Sequence, residues 1–176
     1  FRITTMITSV AAIAAILVLL IISSRYTYAL RYFGFAQGGI GQAIILFTDA
    51  RGDTRAIVGY DDQSVISNLV SQFDEDKEGF TSQWKEVEAV LVTDETKSTY
   101  QTINNKLQDY WALNEEIIEL GKTVSDKAGR QQAQSKAMNE LAPAYEEIES
   151  LMYELFNTKT SRGESLDNNL NIATYI

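Results

Sequence analysis

Two arginines one helical turn apart, Arg51 and Arg55, are the residues of this sequence whose chemistry and spacing best suit a binding site. Neither has an acidic residue three or four positions away, and at that spacing each has only the other as a charged neighbour, which is unfavourable on a helix. Arg51 also occupies a heptad position where an apolar residue is expected. A half-buried guanidinium needs a carboxylate from elsewhere, which it binds through paired hydrogen bonds. The two arginines therefore predict a site for a small carboxylate.

Each residue advances a helix by about 1.5 Å, so residues of different helices that lie at the same distance from the end of the bundle can be identified from the sequence. We call this distance the depth, and it indicates which residues could form the other walls of the site. Arg51 lies roughly 15 Å from the nearest predicted turn. The same depth on the later helices falls near aromatic, amide and hydroxyl side chains, a mixture that suits a small organic anion. The predicted ligand-binding residues are Arg51, Arg55, Phe73, Trp111, Asn114, Gln134 and Ser135.

A structural role for the two arginines stays open at this point. Glu115, Glu116 or Glu119 of the third predicted helix, or a second subunit, could neutralise them instead of a ligand. Thr158 and Arg162 form a further polar layer in the last helix, which we interpret as controlling helix register or transmitting a signal.

The composition excludes several chemistries. The chain has no cysteine and no histidine, which removes thiolate nucleophiles, imidazole catalysis and zinc sites. The acidic run at residues 74–76 lacks the alternating ligands and the glycine of a calcium loop, and predicts a solvated helix face. A net charge of −9 argues against nucleic acid as a partner. We therefore expect no enzyme activity, no catalytic residues, no metal site and no cofactor.

Residues 3–24 are uncharged, strongly apolar and bracketed by Arg2 and Arg25. A helix of this length spans about 33 Å, which matches the roughly 30 Å hydrocarbon core of a bilayer. We predict a transmembrane helix at 1–25, an extracytoplasmic domain at 26–172, and the start of a second, truncated transmembrane helix at 173–176. The arginines flanking the span do not decide its orientation.

Four long segments with helical periodicity follow the span, at residues 26–58, 63–91, 95–120 and 127 onward. Short turns join them, which predicts an all-α, antiparallel up-down four-helix bundle that forms a dimer. The glycines within residues 34–43 indicate either the close approach of a neighbouring helix or a local break. Pro143 predicts a kink in the fourth helix. We expect the apolar seam of that helix at Ala137, Leu141, Ala144, Ile148, Leu151, Leu155, Thr158 and Arg162.

The segments IGQAIILFTDARGDTRAIVGYDD and NELAPAYEEIESLMYELF, on helices that leave and rejoin the membrane, resemble the four-helix-bundle sensor domain of bacterial methyl-accepting chemotaxis proteins. The resemblance implies an extracytoplasmic homodimer in the cytoplasmic membrane, with a HAMP domain and a signalling domain beyond residue 176. It also implies that first-helix arginines and polar groups near the start of the fourth helix hold the ligand. Leu46 stands where the aspartate receptor of that family has a further arginine, which argues against aspartate itself.

These features predict the ligand-sensing domain of a transmembrane chemoreceptor that binds an organic acid or an amino acid and signals by helix displacement. Its other expected partners are the membrane, a second copy of the chain, and cytoplasmic signalling proteins reached through other regions. The sensor domain of a histidine kinase is an alternative. So is a membrane-anchored structural bundle without a ligand, in which protein carboxylates would pair fully with Arg51 and Arg55.

Overall fold

The computed structural model describes residues 16–28 and 30–174. Residues 1–15 of the predicted first span and residues 175–176 of the predicted second one lie outside the described part of the chain. Residues 16–28 are helical, and side chains such as Leu19 and Leu20 are more than half exposed. Within the described ranges, no helix combines the length and the apolar character needed to cross a membrane.

From residue 30 on, the described residues form five α-helices and two short π-helical turns, with no strand among them. The helices are α1 (Phe35–Gly59), α2 (Gln63–Glu88), α3 (Asp94–Gly121), α4 (Lys127–Lys136) and α5 (Ala142–Thr174). One π turn, Leu30–Gly34, precedes α1, and the other, Ala137–Leu141, joins α4 to α5. Because α4, the second π turn and α5 follow one another without a loop, they make the fourth helix of a four-helix bundle.

Side-chain caps begin α2, α3 and α4. Asp62 accepts hydrogen bonds from the backbone N–H groups of Ser64 and Val65 at the start of α2, at 2.8 and 3.2 Å. Thr93 accepts from the N–H of Thr96 at 3.3 Å at the start of α3. At the start of α4, Asp126 and not its neighbour Ser125 is the cap. Such caps satisfy amide groups that have no partner inside the helix.

The glycines at the start of α1 lie in unbroken α-helix, and α1 packs most extensively against α2. A Cβ atom at Gly39 would lie 3.1 Å from Gln83 Nε2 and 3.6 Å from Val87 Cγ2. Of the two interpretations of this segment, close approach of a neighbouring helix therefore holds at Gly39. A Cβ at Gly38 would meet nothing within 4 Å.

Aromatic side chains fill the space between α2 and α3. Trp84 stacks on Tyr100 with 4.8 Å between ring centroids, and Phe80 lies 5.5 Å from Trp111. These large rings hold the two helix backbones further apart than those of α1 and α2. The helical periodicity predicted for residues 95–120 is confirmed, because the residues three and four positions apart on its inner face are buried: Tyr100, Ile103, Leu107, Tyr110, Asn114 and Ile117.

The predicted seam of the fourth helix is only half right. Leu141, Ile148 and Leu155 are buried as expected, but Tyr145, Met152 and Lys159 complete the stripe and are at most 1% exposed. The other predicted seam residues are partly exposed instead: Ala144, Leu151, Thr158 and Arg162. Steps of three and four residues both keep a side chain on one helix face. The larger Tyr145 and Met152 bury more apolar area than a stripe through Ala144.

Pro143 accounts for the irregularity between α4 and α5. Proline lacks an N–H donor, and its ring collides with the carbonyl group four residues earlier, here that of Asn139. Asn139 lies inside the π turn Ala137–Leu141, whose wider spacing relieves this collision. The predicted kink therefore takes the form of a π turn, a form that the sequence reasoning did not anticipate.

Candidate ligand-binding site

A groove of about 400 Å³ lies between the last turns of α1 and the junction of α4 with α5. Its α1 wall consists of Arg51, Arg55, Val58 and Gly59. Its opposite wall consists of Gln134, Ala137, Met138, Leu141 and Ala142, so the π turn lines the groove directly. The structure thus places both predicted arginines beside the predicted Gln134, at the lower end of the size range of small-molecule sites.

Arg51 is held in place by an aromatic ring. Its guanidinium carbon lies 3.9 Å from the centroid of the Tyr145 ring, which is a cation–π contact between α1 and α5. The ring of Tyr145 stacks in turn on Phe47, with centroids 5.0 Å apart and planes 8° from parallel. Because Tyr145 and Phe47 are both buried, Arg51 rests on the hydrophobic core and its position is set before any ligand arrives.

The hydroxyl group of Tyr145 links the same two helices. It donates a hydrogen bond to Glu149 Oε1 at 2.5 Å and shares one of 2.9 Å with Thr48 Oγ1. Burial and the hydrogen bond to Glu149 raise the pKa of Tyr145 above its usual range. The tyrosine therefore stays neutral, and Glu149 has a partner other than an arginine.

Neither Arg51 nor Arg55 forms an ion pair with any residue in the described ranges. The three carboxylates that could have neutralised them pair with lysines. Glu115 pairs with Lys77, Glu116 with Lys136 at 3.2 Å, and Glu119 with Lys122 at 2.5 Å. Within one subunit, the interpretation that these α3 carboxylates neutralise the arginines is therefore wrong.

The remaining predicted polar residues near the groove differ in position. Gln134 lines it, and its Nε2 group donates to the carbonyl of Val58 at 2.8 Å, which ties α4 to the end of α1. Ser135 is exposed, does not line the groove, and accepts a hydrogen bond from Asn139 at 3.2 Å. Of the predicted set, the groove thus brings together Arg51, Arg55 and Gln134.

Phe73 and Asn114 are buried, Trp111 is partly buried, and none of the three lines the groove. Phe73 is buried beside Ala50, Ile57, Ile66 and Ile118, and Trp111 meets it edge-on at 6.1 Å. Asn114 accepts a hydrogen bond from Thr54 at 2.8 Å and donates to the carbonyl of Tyr110 at 2.9 Å. These residues stand on the side of α1 that faces α2 and α3. Depth along the bundle matched them to Arg51, but depth carries no information about the side of the helix.

A third arginine, Arg130, holds together the helix ends next to the groove. The sequence reasoning did not identify it. It is 6% exposed and donates to the carbonyls of Gly121 at 2.7 Å, Val58 at 3.3 Å and Tyr60, and it contacts Asp61 at 3.3 Å. It therefore joins the ends of α1 and α3 to the start of α4. No sequence signal marked it, because its surroundings, KAGRQQAQSK, are typical of a solvated helix.

Tyr110, beneath the stack of Phe47 and Tyr145, has a buried hydroxyl group without a hydrogen-bond partner, and burial raises its pKa. Replacing Tyr110 with phenylalanine should raise the free energy of unfolding by about 1 kcal/mol, because a desolvated polar group disappears and the ring stays. Urea unfolding measures this change. The control is Tyr100→Phe, whose hydroxyl donates to the Trp84 carbonyl at 3.1 Å and whose loss should be destabilising. A Tyr110→Phe variant as destabilised as the control would contradict the expectation.

On the opposite side of α1, Asp53 is 8% exposed and faces Asp76 of α2, with Asp49 nearby. Burial, followed by repulsion from Asp76, raises the pKa of Asp53 to about 6. Among the residues that the structure describes, no group of carboxylates is arranged to hold a metal ion. The acidic cluster is therefore a source of repulsion between α1 and α2.

The comparisons with known proteins agree with this architecture. Residues 37–173 match the family described as a four helix bundle sensory module for signal transduction. The match covers most of the chain, and the chain therefore belongs to this family, the four-helix-bundle sensory modules of methyl-accepting chemotaxis proteins. Searches of curated proteins and of solved structures found no match.

Proposed function

We propose that this chain is the ligand-sensing part of a bacterial transmembrane chemoreceptor, and that it binds a small carboxylate in the groove of Arg51 and Arg55. One observation carries the proposal: two guanidinium groups line a groove and have no ion-pair partner among the described residues. A bound carboxylate would supply the missing charge through bidentate hydrogen bonds. Family membership supports the sensory role.

The position of the groove supports signalling by helix displacement. Its two walls belong to α1 and to the π turn that begins α5. A ligand that contacts both walls favours the arrangement of α1 and α5 in which both contacts form. A π turn is a place where a helix can change its hydrogen-bond register, so a small movement there is passed along α5. In the proposed receptor, α5 leads back to the membrane and to signalling domains outside this chain.

The exposed side of α1 supports a homodimer. Gly38, Ile45, Gly52 and Gly59 recur every seven residues on this face, and Ile45 is 54% exposed. Small residues at heptad spacing let a second helix approach closely. A second hollow, of about 450 Å³, lies on this face and includes Arg55, so a partner subunit seated there would border the proposed ligand site. We place the dimer outside the cytoplasm, anchored in the cell membrane.

The proposal is tested by screening the full chain in lipid nanodiscs against organic acids and amino acids by thermal shift. A ligand at 100 times its Kd should add about 2.7 kcal/mol of stability, and calorimetry then gives the affinity. The Arg55→Ala variant should bind any hit at least about tenfold more weakly, which corresponds to 1.4 kcal/mol.

Arg162→Ala is the matched control, because this arginine pairs with Glu95 at 2.6 Å, far from the groove. Binding should survive in this variant. If no carboxylate binds, the proposed function is wrong and a bundle without a ligand is favoured. If a carboxylate binds unchanged to both Arg55→Ala and Arg51→Ala variants, the groove of the two arginines is not its site and that part of the proposal is wrong.

A further inference from the structure

We infer that the groove selects carboxylates with an apolar body and no ammonium group, and discriminates against the corresponding free amino acids. The inference rests on the proposed function and names the ligand class of the same groove. It follows from three features: the charges of the lining residues, the occupation of nearby carbonyl groups, and the apolar wall opposite the arginines.

The lining residues include two guanidinium groups and no carboxylate. Asp49 and Asp53, two residues from the arginines, lie on the opposite side of α1, where Asp53 faces Asp76. The next acidic side chains along the chain have partners. Glu140 pairs with Lys136 at 3.4 Å, Glu149 accepts from Tyr145, and Asp61 contacts Arg130. An ammonium group inside the groove would therefore lose water without gaining a counter-charge, and Arg51 and Arg55 would repel it.

Backbone carbonyls at the C-terminal end of a helix are the usual alternative acceptors for a cation. Here three carbonyls at the end of α1 and just beyond it accept hydrogen bonds from side chains of α4. The Val58 oxygen accepts from both Gln134 and Arg130, at 2.8 and 3.3 Å, and the Ile57 and Tyr60 oxygens also accept from Arg130. A ligand ammonium at these three carbonyls would compete with the Arg130 guanidinium and, at Val58, with the Gln134 amide as well.

Apart from Gln134, the wall opposite the arginines is apolar. It includes the buried Leu141 and Met138, which is 74% exposed and accessible to a ligand. Methionine adapts its shape to irregular apolar partners. Val58 adds apolar surface from α1. This wall would cover a hydrocarbon body while the arginines hold the carboxylate.

Titration calorimetry of the full chain in nanodiscs, with pairs of probes that differ only in the ammonium group, tests the inference. The pairs are 4-methylpentanoate with L-leucine, 3-phenylpropanoate with L-phenylalanine, and succinate with L-aspartate. We expect at least one apolar monocarboxylate to bind about tenfold or more tightly than its amino-acid partner. That binding should weaken in Arg55→Ala and persist in Arg162→Ala.

A Met138→Glu variant places a carboxylate on the exposed wall, and Met138→Gln is its uncharged control. The ratio of the affinity for the carboxylate to the affinity for its amino-acid partner should fall or reverse in Met138→Glu and stay unchanged in Met138→Gln. If L-leucine or L-phenylalanine binds as tightly as its partner in an Arg55-dependent manner, this inference is wrong and the proposed function stands. If every probe fails to bind while the wider screen yields a carboxylate, this inference is wrong and the proposed function stands. If the probes bind equally to Arg55→Ala, the proposed function and this inference fail together.

Discussion

Replacing Arg130 with methionine should lower the free energy of unfolding by about 3 kcal/mol. This is the largest loss of stability that we expect from replacing one buried polar residue. Methionine keeps most of the side-chain volume but donates no hydrogen bond. The carbonyls of Gly121, Ile57 and Tyr60 would then lose the donor that serves them in a buried position. Unsatisfied buried carbonyls carry the full cost of their desolvation.

Urea unfolding followed by circular dichroism measures this loss, which for a chain of 176 residues corresponds to a fall in Tm of roughly 6–12 °C. Arg162→Ala is the matched control, since the side chain of Arg162 is 41% exposed and its ion pair with Glu95 is on the surface. Surface pairs contribute about 0–1 kcal/mol. If the two variants lose the same small amount, Arg130 does not hold the helix ends together.

Arg130→Lys separates charge from geometry. Lysine retains the positive charge, but its ammonium lacks the planar fork that lets Arg130 reach carbonyls on both α1 and α3. We expect a stability between those of the parent and Arg130→Met. Because Arg130 also secures Val58 in the groove wall, Arg130→Lys should weaken carboxylate binding in the calorimetric test more than Arg162→Ala does.

The second large effect is a stabilisation. Replacing Asp53 with asparagine should raise the free energy of unfolding at neutral pH by roughly 2 kcal/mol, because a buried charge facing Asp76 is removed. Burial and repulsion raise the pKa of Asp53 from its ordinary 3.8 to about 6, and each unit of pKa is worth about 1.4 kcal/mol. Burial also raises the pKa of Asp76, so part of the cost is shared between the two carboxyl groups.

The sign of the pH dependence follows from the raised pKa. Between pH 3.8 and about 6, the folded state holds a proton at Asp53 that the unfolded state has released. The free energy of unfolding contributed by this group therefore falls as pH rises through that interval and stays low above it. The advantage of Asp53→Asn over the parent should thus be largest near neutral pH and should shrink towards zero near about pH 4.

Unfolding curves recorded across this pH range, for the parent and the variant, test the prediction. Asp74→Asn removes the same charge from an exposed position on α2 and should change stability by less than about 0.5 kcal/mol. A parent that is more stable than Asp53→Asn at neutral pH would show that the Asp53 carboxylate has a stabilising partner. The pH profile separates this outcome from a general effect of reduced net charge, which Asp74→Asn would reproduce.

The candidate site was predictable in part. The absence of acidic neighbours singled out Arg51 and Arg55, because intrahelical pairing depends on spacings that the sequence states directly. Gln134 was found by depth along the bundle. The same reasoning failed for Phe73, Trp111 and Asn114, since helices at equal depth present different sides to one another. Met138 and Leu141 in the groove, and Tyr145 beneath Arg51, were not predicted. Their positions depend on how the fourth helix is rotated about its own axis, and a short apolar pattern fits more than one rotation.

The helical class, the positions of the turns and the inner face of α3 follow from the sequence alone. They depend on local rules: capping by Asp62, Thr93 and Asp126, and apolar periodicity along each helix. The π turn between α4 and α5, the inward position of Tyr145 and Lys159, and the role of Arg130 in joining the helix ends are visible only in the folded structure. Those outcomes depend on how side chains from distant segments fill one space and satisfy one another's polar groups, and no local pattern records them.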